Sequence, residues 1–120
     1  EHAALVLQQT GVNALTVPIT PMAEPFLGAI PEDQSIRRGN ILARLRMIVL
    51  YDRSAEFEGL VVGTGNKTEY LLGYTTLYGD SACAFNPIGD LYKTQVRQLA
   101  APGSACRRSS SWRGRWASLR

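Results

Sequence analysis

The run Leu60-Val61-Val62 passes directly into Gly63-Thr64-Gly65-Asn66, and few folds accommodate that change. A short apolar run of this kind fills a buried strand. The turn after it replaces bulk with backbone freedom and small polar side chains. A short helix over 66–72, carrying Glu69, is expected next. A polar, glycine-spaced loop occupies 74–86. Pro87-Ile88-Gly89-Asp90-Leu91-Tyr92-Lys93 then leads into a helix that starts near Asp90 and runs through Leu99. Strand, small-residue turn and helix, in that order, is how open α/β sheets build ligand sites at the carboxyl ends of strands.

The residues before this stretch supply the other half of a βαβ unit. Residues 3–9 (AALVLQQ) read as the last turns of a helix, and Thr10-Gly11 closes them, because glycine takes a left-handed conformation cheaply. Residues 12–20 (VNALTVPIT) carry β-branched and apolar side chains and read as a strand, with Pro18 and Pro21 at its end or edge. Residues 21–33 are broken by three prolines and allow only a short helix around 23–30. From Ser35, a natural amino-terminal cap, a long helix extends to about Phe57. Ile41, Leu45, Ile48 and Val49, flanked by Leu42 and Met47, predict a broad buried face on it. Strand, long helix and second strand form a right-handed parallel crossover. The fold class is therefore α/β, with a partial parallel sheet. The first helix is too short to stand alone and Glu1 is not an initiator Met, so the sequence is expected to continue a longer protein.

Charge divides the chain. Residues 1–100 hold 8 Lys+Arg against 10 Asp+Glu, a net of −2, whereas residues 101–120 hold 5 Arg and no acid. The body is mildly acidic, which argues against a broad nucleic-acid surface. No apolar run approaches the ~18–20 residues of a transmembrane helix, and a soluble cytoplasmic protein without membrane or nucleic-acid partners is expected. Residues 101–120 are rich in Arg and Ser, with Trp112 and Trp116, and interrupt a helix that 96–100 was extending. They read as an unstructured tail, a shifted reading frame or an appended end. Cys83, Cys106 and His2 cannot assemble a zinc site by themselves. The single histidine also counts against Ser-His-Asp or Cys-His catalysis.

The acids beside the glycine turns are Glu69, Asp80 and Asp90. A carboxylate at such a loop can hold Mg2+ through oxygen, with phosphate oxygens and water completing the octahedron. Lys67 and Lys93 could neutralise phosphate as flexible point charges, and Thr64 offers a hydroxyl and an amide at a strand end. From pattern alone, an ordinary solvated loop explains these residues better than a nucleotide site does. No GxxxxGK[ST] and no GxGxxG occurs. On the long helix, Gly39-Asn40 costs about 1 kcal/mol or more of propensity, and Arg44 and Arg46 interrupt the apolar run. Either arginine can snorkel to solvent or face an anionic ligand.

Three blocks narrow these alternatives: residues 39–47 (GNILARLRM), 63–80 (GTGNKTEYLLGYTTLYGD) and 87–96 (PIGDLYKTQV). In this order and spacing they resemble the NAD+ synthetase family. The resemblance covers residues 35–100 strongly and 1–34 weakly. It implies an adenine-nucleotide alpha-hydrolase-like (ATP pyrophosphatase) fold over 1–100. The implied chemistry is an ATP-dependent carbon–nitrogen ligation. ATP adenylates the nicotinate carboxylate of deamido-NAD+ and releases pyrophosphate, and ammonia then displaces AMP to give NAD+. By motif position, Thr64 resembles the family's ATP-contacting threonine and Lys93 its ATP-phosphate lysine. Glu69 resembles its Mg2+ ligand, and Arg44 an arginine that contacts deamido-NAD+, which would give Gly39-Asn40 the role of close backbone approach to substrate.

The resemblance further implies ATP and Mg2+ as cofactors, deamido-NAD+ and ammonia (free or delivered by a glutaminase) as partners, and a homodimer for the full-length parent. Some members carry a lysine before the Tyr-Gly-Asp of this loop and an aspartate shortly after it; Leu77 and Ala84 stand there in this sequence. No Ser-Gly-Gly-x-Asp-Ser pyrophosphate loop occurs in the 120 residues, and no catalytic residue is identified. This stretch of protein is therefore expected to be inactive by itself. Two other readings are another ATP pyrophosphatase and a non-catalytic remnant or interaction module with a basic tail.

Overall fold

A computed structural model describes residues 2–101, and the tail expected over 101–120 lies almost wholly outside the described residues. Among the described residues five helices follow one another: α1 (His2–Thr10), α2 (Thr20–Leu27), α3 (Ser35–Glu56), α4 (Lys67–Leu71) and α5 (Lys93–Ala100). They belong to two compact units that divide between Gly59 and Leu60.

In the first unit, α1 ends as its sequence predicts. Gly11 adopts φ 65°, and its N–H donates to the Leu7 carbonyl at 2.9 Å. Residues 11–19 carry no regular element, so the strand expected over 12–20 is not formed among the described residues. Its last residue instead opens α2, where Pro21 occupies the first turn and loses nothing by lacking an N–H. An isolated extended segment has no ladder to satisfy its backbone, and β-structure needs neighbouring strands to persist.

The long helix α3 forms over nearly the span expected, but two details differ. Its cap is Gln34, with no side-chain capping bond, and Ser35 is the first helical residue. None of its residues is buried. Ile41, Leu42, Leu45, Met47 and Val49 are half-buried, whereas Ile48 is 57% exposed. Among the described residues α2 is the one helix packed against α3, and a helix of eight residues cannot cover a stripe that runs for twenty-two. The corner between them is held by Arg38. Its Nη1 donates to the carbonyls of Leu27 at 2.9 Å and Ile30 at 2.8 Å. A guanidinium thus caps the carboxyl end of α2, where the helix presents unpaired carbonyls and partial negative charge. Ala23 and Ile30 are the buried apolar residues of this unit. At the far end, α3 terminates through Glu58 in the left-handed region (φ 50°), with the Gly59 N–H donating to the Ser54 carbonyl at 2.8 Å.

In the second unit, Val61 is buried, but Leu60 is 72% and Val62 51% exposed, so the run expected to fill a buried strand is buried at one residue. Its partner lies in what reads as polar loop. The Ala84 N–H donates to the Val61 carbonyl at 2.9 Å and the Gly63 N–H to the Phe85 carbonyl at 2.8 Å. Val62 and Phe85 form a single parallel bridge, and no longer ladder is present among the described residues. The parallel sheet expected from sequence is thus reduced here to one bridge. The last helix also starts later than expected. Residues 87–90 form a turn, and α5 begins at Lys93.

Candidate functional site

The turn 63–66 is shaped from beneath. A Cβ at Gly63 would lie 2.5 Å from Cys83 Sγ and 3.2 Å from Asn86 Cγ. A Cβ at Gly65 would lie 3.2 Å from the Tyr70 ring, whose hydroxyl accepts from Asn86 Nδ2 at 3.1 Å. A side chain at Gly63 would clash with Cys83, and one at Gly65 would crowd the Tyr70 ring. The turn ends at Asn66, which is 4% exposed and caps α4. Asn66 Oδ1 accepts from the Glu69 N–H at 3.2 Å, and Glu69 Oε2 accepts from the Asn66 N–H at 3.0 Å. This reciprocal arrangement satisfies two otherwise unpaired donors. It also fixes the Glu69 carboxylate, because one of its oxygens is tied to backbone.

The other oxygen, Oε1, accepts from Lys93 Nζ at 2.8 Å. Lys93 is the first residue of α5, and its N–H donates to Thr68 Oγ1 at 3.1 Å. The Lys67 N–H donates to the Leu91 carbonyl at 2.9 Å. The amino ends of α4 and α5 are thus stitched together by backbone and side chain, and the ion pair sits at the seam. Lys67 Nζ lies 5.0 Å from the centre of the Tyr92 ring, within the range of a cation–π contact. The carboxyl of Glu69 is held below the usual glutamate value, first by the Lys93 hydrogen bond and then by the Asn66 N–H. It remains reachable from solvent, with its side chain 24% exposed and that of Lys93 53%.

Of the residues singled out in the sequence, Glu69 and Lys93 are brought into direct contact, and Thr64 is exposed on the turn immediately before them. Arg44 belongs to the first unit. There it lines an open cleft of about 510 Å³ with Asp33, Asn40 and Ile41. At Gly39, one residue before Asn40, no atom of the described residues beyond the helix's own backbone and the chain neighbours lies within 4 Å of where a Cβ would stand. Asp80 serves its own loop. Its carboxylate accepts from the Thr76 N–H at 2.6 Å and from Thr75 Oγ1 at 3.4 Å. Sequence reasoning missed Arg38 and the capping role of Asn66. The second had a readable signal, a polar cap residue followed three positions later by Glu. The first had none, because the carbonyls that it grips become neighbours only when α2 turns into α3.

The donor set bears on a metal. Among the described residues no three His, Cys, Asp or Glu side chains cluster in a way that could hold an ion. At the seam, Glu69 offers one hard carboxylate oxygen that is reachable from solvent. Such a set does not cage a metal, but it fits Mg2+ that arrives with phosphate oxygens and water, the usual manner of nucleotide-bound Mg2+.

Residues 1–108 match the family model described as NAD synthase. The chain belongs to the NAD synthase family. It is 61% identical over 100 residues to an NH3-dependent NAD+ synthetase of Pelodictyon phaeoclathratiforme, an alignment that covers 83% of this chain and 36% of that protein. A Trichlorobacter lovleyi NH3-dependent NAD+ synthetase is 59% identical over 99 residues, covering 82% and 36%. The chain thus spans about a third of the length of the curated relatives it matches. Among solved structures, the NH3-dependent NAD synthetase of Campylobacter jejuni superposes with a TM-score of 0.77 at 43% identity, covering 82% of this chain and 43% of that one. The glutamine-dependent NAD+ synthetase of Acinetobacter baumannii, solved with ADP, gives 0.70 at 35% identity, covering 82% and 19%. These NAD synthase relatives support the adenine-nucleotide hydrolase-like fold class, although this chain shows almost no strand among its described residues. No helix among those residues is long and apolar enough to cross a membrane.

Proposed function

We propose that residues 60–101 form the ATP and Mg2+ side of the adenylating site of an ammonia-using NAD+ synthetase. One observation carries the reading. Two residues 24 apart in sequence, assigned by motif to metal and to phosphate, meet at 2.8 Å on a solvent-reachable seam. Lys93 neutralises phosphate charge, and its backbone is held in place by the Thr68 contact to its N–H. Glu69 presents a carboxylate whose orientation is locked by Asn66. Thr64, on a turn closely packed at Gly63 by Cys83, offers its hydroxyl to the nucleotide. Mg2+ bound with ATP would supply the Lewis-acid charge that favours departure of pyrophosphate. Arg44, beside Asn40 in the cleft on α3, is the residue proposed to contact deamido-NAD+.

The close NH3-dependent relatives favour ammonia over glutamine as the nitrogen source. The whole enzyme is read as a homodimer. Ile48, Leu50 and Phe57, each more than half exposed, offer apolar surface of the kind such contacts cover. The 120 residues contain no Ser-Gly-Gly-x-Asp-Ser run, so this length of chain is expected to bind nucleotide without turnover. The test incubates purified chain with ATP, Mg2+, deamido-NAD+ and ammonia. It monitors both retention of a fluorescent ATP analogue and formation of NAD+. Retention without NAD+ is expected, weakened about tenfold or more in Lys93→Met, as loss of a charge-assisted bond predicts. A chain that retains no adenine nucleotide contradicts the reading.

A further inference from the structure

We propose that Lys93 is a resident cation on the Glu69 carboxylate, and that it excludes a divalent ion until an anionic phosphate chain draws the ammonium away. The inference rests on the assignment of Glu69 and Lys93 to metal and phosphate given above, and goes beyond it by setting an order of events. Three facts carry it. Glu69 Oε2 is held by the Asn66 N–H at 3.0 Å, so Oε1 is the oxygen available to an incoming ion. Lys93 Nζ already stands 2.8 Å from Oε1. The Lys93 backbone is fastened to Thr68 Oγ1 at 3.1 Å, so the root of the side chain stays within reach of Glu69.

A divalent ion at about 2.1 Å from Oε1 would share that oxygen with a positive charge a few ångströms away, and like charges at that separation repel. Metal alone therefore meets an occupied seat. A phosphate chain changes the balance, because it offers Lys93 several anionic oxygens in place of one. The Lys93 side chain is half exposed and unbranched, free to swing from carboxylate to phosphate while its backbone stays in place. The metal seat then opens only when the phosphates that complete the metal's coordination have arrived.

The test measures Mn2+ alone, without nucleotide, by the loss of the free-ion electron paramagnetic resonance signal on titration with the 120-residue chain. Lys93→Met and Lys93→Gln should each bind Mn2+ about fivefold more tightly or better than the parent, the scale set by removing one partly exposed ion pair and its repulsion. Adding Glu69→Gln to either variant should abolish the gain. Lys67→Met removes a nearby positive charge that does not touch Glu69, and should give less than half the gain. Equal or weaker Mn2+ binding in both Lys93 variants overturns the proposal. So does a gain that survives Glu69→Gln, or one that Lys67→Met reproduces in full. Retention of MgATP by the parent chain is scored separately. If it is retained while the Lys93 variants show no gain, the exchange fails and the nucleotide-site reading stands; if it is not retained, the nucleotide-site reading itself falls.

Discussion

Gly63 shows how a single atom can decide the turn that carries Thr64. An added methyl would stand 2.5 Å from Cys83 Sγ, so Gly63→Ala should destabilise the chain by about 1–3 kcal/mol, the ordinary cost of overpacking. Urea denaturation measures it, and Cys83→Ala in the same chain should recover part of the loss, because the two changes share one clash. Glu69 makes a second prediction at this scale. Its carboxyl titrates below the ordinary value because Lys93 and the Asn66 N–H favour the charged form. A lowered folded value stabilises fully above the unfolded-state pKa, about 4.3 for free glutamate. That stabilisation is lost as pH falls through the lower folded value. Amide exchange protection around α4 should therefore hold near about pH 6 and decline below about pH 4, and Glu69→Gln should flatten the dependence. The residue types at the seam were readable in the sequence. The meeting of Glu69 with Lys93 was not, because it depends on how the loop between α4 and α5 returns, and no local pattern encodes that closure.

Between α2 and α3, Arg38 has a larger effect than its half-exposed surface suggests. Arg38→Met keeps the aliphatic stem and removes both bonds to Leu27 and Ile30. The expected cost is about 1.5–3 kcal/mol, the range for hydrogen bonds to a charged group, read as a lowered denaturation midpoint and faster amide exchange in α2. Asn66→Ala should cost about 1 kcal/mol through the lost cap, and α4 has only five residues with which to absorb it. Helices were the legible part of this fold, because their signals are local: a glycine after Thr10 and an apolar period along α3. Strands were not. Val61 was readable as buried, but its partners Ala84 and Phe85 sit in a polar, glycine-spaced stretch, and a parallel pairing is fixed by the path of the intervening chain. The expected burial of α3 failed for a related reason: periodicity identifies a face that favours burial but does not supply the element that covers it.

For the molecule as a whole, the second unit is proposed to meet nucleotide and the cleft on α3 the other substrate. On that proposal, the stitched amino ends of α4 and α5 would carry the nucleotide side. Turnover is a poor probe here, since the expected result for these 120 residues is no product. Amide chemical shifts are more direct. Titration of 15N-labelled chain with MgATP should move the amides of Gly63, Thr64, Gly65, Glu69 and Lys93 together, with one saturation curve, and leave α1 and α2 unshifted. Shifts confined to the first unit, or no shift at all in 63–69 and Lys93 at saturating nucleotide, would contradict the assignment.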